Sequence, residues 1–180
     1  MLSVVRLPKV NQMHAEWTAI EAALAEHAPQ VGRLLRPPAT AAALVDLGEA
    51  LGCELPPGLS DLLLVHDGSA GPVFDAQTFL SAKEIGRVHR LRTETAQKLV
   101  QIGVRSPASA EAWWQADLIP LTDAQGDGYC VDARGGGVYY HRHDDDLRQR
   151  GDNFESWFSL LAGRFERGEL AVIDGNVWLR

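Results

Sequence analysis

Residues 51–68 read LGCELPPGLSDLLLVHDG and decide how the first half of the chain folds. Gly52 is predicted to end a helix, because glycine takes a positive φ without a Cβ clash. The following Leu55-Pro56-Pro57 predicts an extended turn, and a proline in the first turn of the next helix gives up no needed hydrogen bond. That short amphipathic helix runs into Asp67-Gly68. The order of caps and breakers predicts local structure, and nothing in it has the pattern of an active site.

Upstream of this stretch, apolar residues recur at helical spacing on two further segments. The first stripe predicts a helix that ends near Pro29; it consists of Met13, Trp17, Ile20 and Leu24. The second lies on the helix that Gly52 closes; it consists of Leu44, Leu47 and Leu51. In the helix that follows, the inward residues are Leu59, Leu62, Leu63 and His66. Because His66 lies at the negative end of that helix, we predict that its imidazole caps it.

Downstream of Gly68, turn-forming residues predict a loop as far as Ser81, with a short strand around residues 73–79. Ser81 and Glu84 form a capping box, in which each side chain satisfies a backbone N–H of the other residue. A long helix is therefore expected to start at Ala82.

The second half of the chain is predicted to begin with β-structure. Residues 118–121 indicate one strand, and residues 129–132 and 138–143 indicate two more. The glycines within residues 133–137 allow the positive φ of a hairpin turn, so these two strands are expected to pair.

A helix and a hairpin are predicted to complete the chain. Asp152 and Glu155 are a second capping pair, which opens the most aromatic helix of the chain. Its inward face consists of Phe154, Trp157, Phe158, Leu161 and Phe165. Asp174-Gly175 then separates two apolar runs, a strong hairpin signal. The whole pattern predicts a single α+β domain, in which helices flank a central, mostly antiparallel sheet.

Composition excludes some classes of function. The chain of 180 residues has 17 basic and 24 acidic residues, a formal net charge of -7. This balance argues against nucleic acid binding, which needs a clustered basic surface, and it permits a basic partner. No apolar run reaches the ~20 residues of a membrane span, and the first ten residues lack the apolar core of a signal peptide. Cys53 and Cys130 lack the spacing of a metal or redox motif. We therefore predict a soluble, cytoplasmic protein with free thiols.

Together, these features resemble the SUKH superfamily, the cell-wall-assembly-regulator-like proteins that include many bacterial immunity proteins. The resemblance covers most of residues 13–170, and its structural motif consists of Trp17, Glu21, Leu55, Pro56, Asp67, Gly68, Gly126, Asp127 and Asp132. It implies one SUKH-like domain over residues 1–180 and a binding protein without catalysis. Such proteins are often encoded beside a secreted toxin, which they block in the producing cell. The alternative is a regulatory scaffold in the control of cell-wall assembly.

The string HRHDDD, which begins at His141, is the best metal candidate in the sequence. Residues two apart on a strand point to one face, so His141 and His143 would offer two imidazoles near a carboxylate, as in a metal-dependent enzyme. A strand that runs out into a solvated acidic turn gives the same string, and we therefore predict no metal, cofactor or catalytic residue. In the turn before this strand pair, Asp127 is expected to accept backbone N–H groups as an Asx cap.

Two features are candidates for contact with a protein partner. Trp113 and Trp114 are adjacent and cannot both face the core from one regular element, so one is predicted to be a partly exposed anchor. The alternative is that both pack under a loop. Asp144, Asp145 and Asp146 predict an acidic surface that steers a basic, nuclease-like toxin domain, although such a run is also usual for a solvated turn.

Overall fold

The computed structural model describes residues 9–180, and the predictions that concern residues 1–8, the start of the domain and the absence of a leader peptide, lie outside this range. The described residues form seven helices and nine strands. Every strand pair is antiparallel. The predicted α+β class is confirmed.

Four helices form the N-terminal part of the protein. They are α1 (Lys9–His27), α2 (Pro29–Gly32), α3 (Ala41–Leu51) and α4 (Pro57–Val65). Thr40 begins α3, since its side chain accepts a hydrogen bond from the Ala43 N–H at 3.1 Å. Gly52 ends α3 with a φ of 68°. Leu55 and Pro56 make the extended connection to α4. The predicted order of caps and breakers in residues 51–68 is therefore confirmed.

The segment after α4 is a β-hairpin, where the sequence predicted a loop with one short strand. β1 (Pro72–Phe74) pairs with β2 (Gln77–Phe79). Asp75 and Ala76 form the turn, with φ values of 44° and 61°. The second strand was missed because alanine rarely marks a left-handed turn.

Two helices follow the hairpin, α5 (Ala82–Gln101) and α6 (Pro107–Trp113). α5 starts at the predicted residue, and both halves of the Ser81–Glu84 capping box are formed. Its buried residues include Ile85 and Val88, and it packs against α3 and α6. α5 is therefore the long helix that the sequence predicts, and it ends at Gln101.

The next five strands are β3 (Leu118–Pro120), β4 (Thr122–Asp123), β5 (Gly128–Asp132), β6 (Val138–His141) and β7 (Arg148–Gly151). Four of them form a sheet in the order β3-β5-β6-β7, and the predicted hairpin across residues 133–137 joins β5 to β6. β4 pairs with β2 instead. Only Leu121 separates β3 from β4, so one stretch of chain links the hairpin to the larger sheet.

α7 (Phe154–Glu166) carries the predicted aromatic face but begins with a different cap. Asn153 is the capping residue, and its side chain accepts a hydrogen bond from the Ser156 N–H at 2.8 Å. The predicted Asp152–Glu155 box is therefore wrong by one residue. Asp152 instead accepts a hydrogen bond from the side-chain amide of Gln149 at 3.3 Å.

The chain closes with the predicted hairpin of β8 (Leu170–Ile173) and β9 (Asn176–Leu179). Asp174 and Gly175 form its turn, with φ values of 50° and 78°. The Asp75 N–H donates to the carbonyl of Val177 at 2.8 Å, which ties β9 to the hairpin of β1 and β2.

Two clusters of buried side chains hold these elements together. In the larger one, the Trp17 ring lies 5.4 Å from Phe79 and 5.3 Å from Phe158, measured between ring centroids. The smaller cluster lies between α5, α6 and the four-stranded sheet, and consists of Ala96, Trp113, Trp114, Leu118 and Cys130. α5 contributes to both clusters, so its position is fixed from two sides.

Candidate functional site

The N-terminal end of α5 is held by side chains from two segments. The Ser81 hydroxyl accepts a hydrogen bond from the Glu84 N–H at 3.3 Å, and the Glu84 carboxylate accepts one from the Ser81 N–H at 2.9 Å. The carboxylate of Asp67 accepts the N–H of Ala82 at 2.7 Å. Asp67, predicted to shape the turn after α4, therefore also caps the next helix.

Arg36 joins this cap through a two-pronged contact. Two of its N–H groups donate to the Glu84 carboxylate at 2.8 and 3.2 Å. Partial burial alone would raise the pKa of Glu84, but the hydrogen bonds from Arg36 and Ser81 lower that pKa to about 2. Glu84 is therefore an anion at neutral pH and ties the segment after α2 to α5.

Gly68 lies where the backbone after α4 touches the start of α5. Its φ is 72°, and a Cβ there would lie 2.5 Å from the Ser81 nitrogen and 2.6 Å from the Phe79 carbonyl oxygen. The next N–H, of Ser69, donates to the same Phe79 carbonyl at 2.8 Å. Glycine is therefore required both by the backbone conformation and by this close approach.

His66 connects α4 to α1. Its Nδ1 lies 2.7 Å from the Arg36 carbonyl oxygen, and its Nε2 lies 3.0 Å from a carboxylate oxygen of Glu21. The ring also packs edge-on against Trp17, with 4.9 Å between centroids. His66 is the C-cap residue of α4, as predicted, but it caps through its backbone N–H, which donates to the Leu62 carbonyl at 3.1 Å, and the extended backbone takes its imidazole toward α1.

A groove of about 1110 Å³ lies between α3 and α5. Ala43, Leu47 and Ala50 of α3 form part of its lining. On the α5 side, its lining includes Lys83, Arg87 and Arg90. The groove starts beside the Arg36–Glu84 pair, so the cap described above also fixes one end of it.

The sequence analysis missed this row of cations. Lys83, Arg87 and Arg90 are four and three residues apart, which places them on one face of a helix. The spacing is visible in the sequence, but the net charge of -7 favoured the acidic residues as the charged contact surface.

Trp113 and Trp114 are both buried, with 5% and 3% of their surface exposed. The alternative that both pack inside is therefore the one that the structure bears out, and neither is an exposed anchor. α6 ends at Trp113, and the extended backbone of Trp114 frees the second ring from helical periodicity. The indole N–H of Trp113 donates to the Arg142 carbonyl at 3.0 Å, and that of Trp114 donates to the Thr93 hydroxyl at 3.1 Å. Both rings thus belong to the smaller core cluster.

His141 and His143 occupy different environments, so the two imidazoles do not share one face as the metal alternative requires. β6 ends at His141, so the alternation that would bring both to one face stops there. His141 is 1% exposed and packs between Trp113 and Trp114, while His143 is exposed and its Nδ1 lies 2.8 Å from Asp127. Within residues 9–180, no three histidine, cysteine or acidic side chains are grouped to hold a metal.

Arg92 is a buried cation that sequence analysis also missed. It is 5% exposed, donates to the Gly126 carbonyl at 2.9 Å and lies 5.3 Å over the Trp114 ring. Burial is the main effect that lowers the pKa of His141 to about 4, and the positive charge of Arg92 acts in the same direction. The Nε2 atom of His141 has no hydrogen-bond partner among the described residues. His141 is therefore a neutral core residue.

The polar turns of the sheet have structural partners. Gly126 has a φ of 102° and its carbonyl lies 3.2 Å from Nδ1 of His141. Asp127 accepts the His143 N–H at 2.9 Å, so it holds a backbone group from the neighbouring connection and not from its own turn. Asp132 accepts two N–H groups of the loop at residues 134–135, at 2.8 and 3.2 Å.

The acidic turn at residues 144–146 carries its own counter-charges. Asp144 pairs with Arg142 at 3.0 Å, and Asp145 pairs with Arg148. Asp146 is exposed. Because two of the three carboxylates are neutralised locally, the turn presents a weaker negative field than its sequence predicts.

Comparison with known families identifies the chain. The model of the SMI1 / KNR4 family (SUKH-1) matches residues 38–160, about two thirds of the chain. The chain belongs to this family. The predicted membership of the SUKH superfamily is confirmed. No curated protein gave a significant match.

In this SMI1/KNR4 family member, the matched residues include α3, α5 and the lining of the groove between them except Arg36. The match is shorter than the resemblance over residues 13–170. Trp17 and Glu21 on α1 and the hairpin of β8 and β9 lie outside it. No helix in residues 9–180 is long and apolar enough to cross a membrane.

Proposed function

We propose that this chain is a cytoplasmic immunity protein, a non-catalytic module that binds and blocks a cognate toxin domain inside the producing cell. Membership of the SMI1/KNR4 family over residues 38–160 is the observation that carries the proposal. SUKH domains are generally non-catalytic and include toxin-immunity proteins. Three polar residues singled out in the sequence support a non-catalytic role, because they are engaged in structural hydrogen bonds to the backbone: His141, Asp127 and Asp132.

The mechanism is occlusion by a rigid surface. A stable complex of this kind buries about 800 Å² on each partner. A few desolvated anchors contribute most of the binding energy, and the surrounding charges set specificity and association rate. The groove between α3 and α5 and the exposed apolar side chains of the last hairpin, Ile173 and Trp178, are the described surfaces best suited to that task.

The experiment starts from the open reading frame next to the gene for this chain. If it encodes a large secreted protein, its C-terminal domain is produced in a host cell with and without the full chain. We expect the toxin domain alone to stop growth, the chain to restore growth, and the two purified proteins to form a complex of defined stoichiometry. Growth arrest that the chain does not relieve, with no complex in size-exclusion chromatography, would contradict the proposal.

A regulatory scaffold in cell-wall assembly is the second candidate, since the family includes cell-wall-assembly-regulator-like proteins. Deletion of the gene then changes the sensitivity of the cell to wall-targeting antibiotics in the absence of any toxin. An immunity protein predicts no such change.

A further inference from the structure

The three cations of α5 that line the groove are available for a ligand. Lys83, Arg87 and Arg90 are exposed. None of them makes an ion pair or a side-chain hydrogen bond with a described residue, whereas Arg36 at the end of the groove is occupied by Glu84. Within residues 9–180, this row of positive charge therefore has no direct ionic partner, although the net charge of the chain is -7.

Small residues line the floor of the groove, where α3 and α5 approach each other most closely. Ala43 and Ala50 on α3 and Gly86 on α5 are small, and a Cβ at Gly86 would lie 3.5 Å from that of Ala50. Leu47, which is only 2% exposed, closes the floor from beneath.

The α5 wall of the groove is as long as a docked helix of four turns, whereas the α3 wall, from Ala43 to Ala50, spans about 10 Å and would contact about two of those turns. The lining on α5 runs from Ala82 to Gln97. At 1.5 Å per residue this is about 22 Å, the length of a helix of about four turns. A helix that lies in such a groove buries its apolar face and keeps its charged edge at the rim.

The charges that line the groove favour one class of ligand over another. Asp46 lines the α3 side, and Glu94 lies beyond Arg90 along α5. Both would repel a phosphate backbone, which carries negative charge along its whole length. A protein helix avoids this conflict, because only one of its edges needs to be acidic.

We propose that the groove between α3 and α5 binds an amphipathic helix of the cognate toxin domain, whose acidic edge faces Lys83, Arg87 and Arg90. This inference rests on the proposed function and names the chemistry of the partner. It replaces the acidic turn at residues 144–146 as the charged contact surface, because that turn is largely neutralised by Arg142 and Arg148.

The first test measures binding of the toxin domain by isothermal titration calorimetry. Arg87→Glu/Arg90→Glu reverses two rim charges, and Arg33→Glu/Lys98→Glu makes the same change in net charge at two exposed positions outside the groove. We expect the rim variant to weaken binding by about 100-fold, roughly tenfold per reversed charge, and the control to stay within about threefold of wild type. Equal affinities of the two variants would overturn the inference while leaving the immunity function intact.

A second variant tests the groove without changing charge. Ala50 is exposed and lies on the α3 side, so Ala50→Trp fills the floor and leaves the core untouched. We expect a loss of at least tenfold in affinity with an unchanged thermal midpoint. Wild-type affinity in this variant would contradict helix docking at this surface.

The last test does not depend on the toxin. Two synthetic 15-residue helical peptides share one apolar face and carry either glutamate or lysine along one edge. With the full chain, we expect the acidic peptide alone to shift the amide NMR signals of residues 43–50 and 82–97, and the rim variant to lose these shifts. Equal shifts with both peptides, or none with either, would overturn the inference even if the chain protects cells.

Discussion

Gly68 and Gly52 allow backbone strain and steric overlap to be measured separately. Both lie in residues 51–68, and their φ values of 72° and 68° are nearly the same. Alanine at either position pays the cost of a left-handed backbone, about 1–2 kcal/mol. Only at Gly68 does the new Cβ meet other atoms, since nothing lies within 4 Å of a Cβ at Gly52.

The overlap at Gly68 is with backbone, which cannot rotate away. A Cβ would lie 2.5 Å from the Ser81 nitrogen, so the segment after α4 must move from the start of α5. That movement strains the hydrogen bonds from Ala82 to Asp67, at 2.7 Å, and from Ser69 to Phe79, at 2.8 Å. We expect Gly68→Ala to cost at least 4 kcal/mol and Gly52→Ala about 1 kcal/mol.

Urea unfolding of the two variants, followed by circular dichroism, measures the difference. With an unchanged slope, the lower midpoint of Gly68→Ala converts directly to a free energy of unfolding. A Gly68→Ala variant that is within 1 kcal/mol of Gly52→Ala would refute the close approach of these two backbone segments.

Two further predictions concern titration. His141 has a folded pKa of about 4 against an ordinary 6.5, so the unfolded chain takes up the proton first and stability falls as pH drops from 6.5 to about 4. At about 1.4 kcal/mol per pKa unit, the free energy of unfolding falls by about 3 kcal/mol over this pH range. Urea unfolding at several pH values should show this fall in the wild type and not in His141→Gln. Glu84 has a folded pKa of about 2, so its contribution is complete above 4.5 and is lost as pH falls toward 2. Glu84→Gln should therefore cost about 1–2 kcal/mol at pH 7, discounted for solvent screening, and progressively less in acid unfolding below pH 4.5.

Signals that act within a few residues were readable from the sequence. Gly52, Ser81 and the Asp174-Gly175 turn each satisfy or release backbone groups next to them, so their residue types alone predicted the ends of helices and a hairpin. The same reasoning placed the cap of α7 one residue too early, because Asp152 and Asn153 are both good caps and only the folded chain selects between them.

Features that depend on where an element ends in space were not readable. Trp114 is buried because α6 stops one residue before it, and His143 parts from His141 because β6 stops at His141. Each boundary is set by packing against neighbouring elements, which local propensity does not report. The groove cations had visible spacing, but whether Arg87 has an ionic partner depends on what lies across the groove.

The position of α5 links the structural motif of the family to the proposed binding surface. Asp67, Ser81 and Glu84 fix the first turn of α5, and Lys83 lies within that turn. Farther along, Arg92 and Ala96 hold the helix in the smaller cluster. A helix held at both places needs no ordering of its backbone on binding, and such preorganisation lowers the entropy cost of binding. In the proposed complex, Asp67 would therefore act on binding through the surface that it positions, whereas Ser81 and Glu84 also line the groove itself.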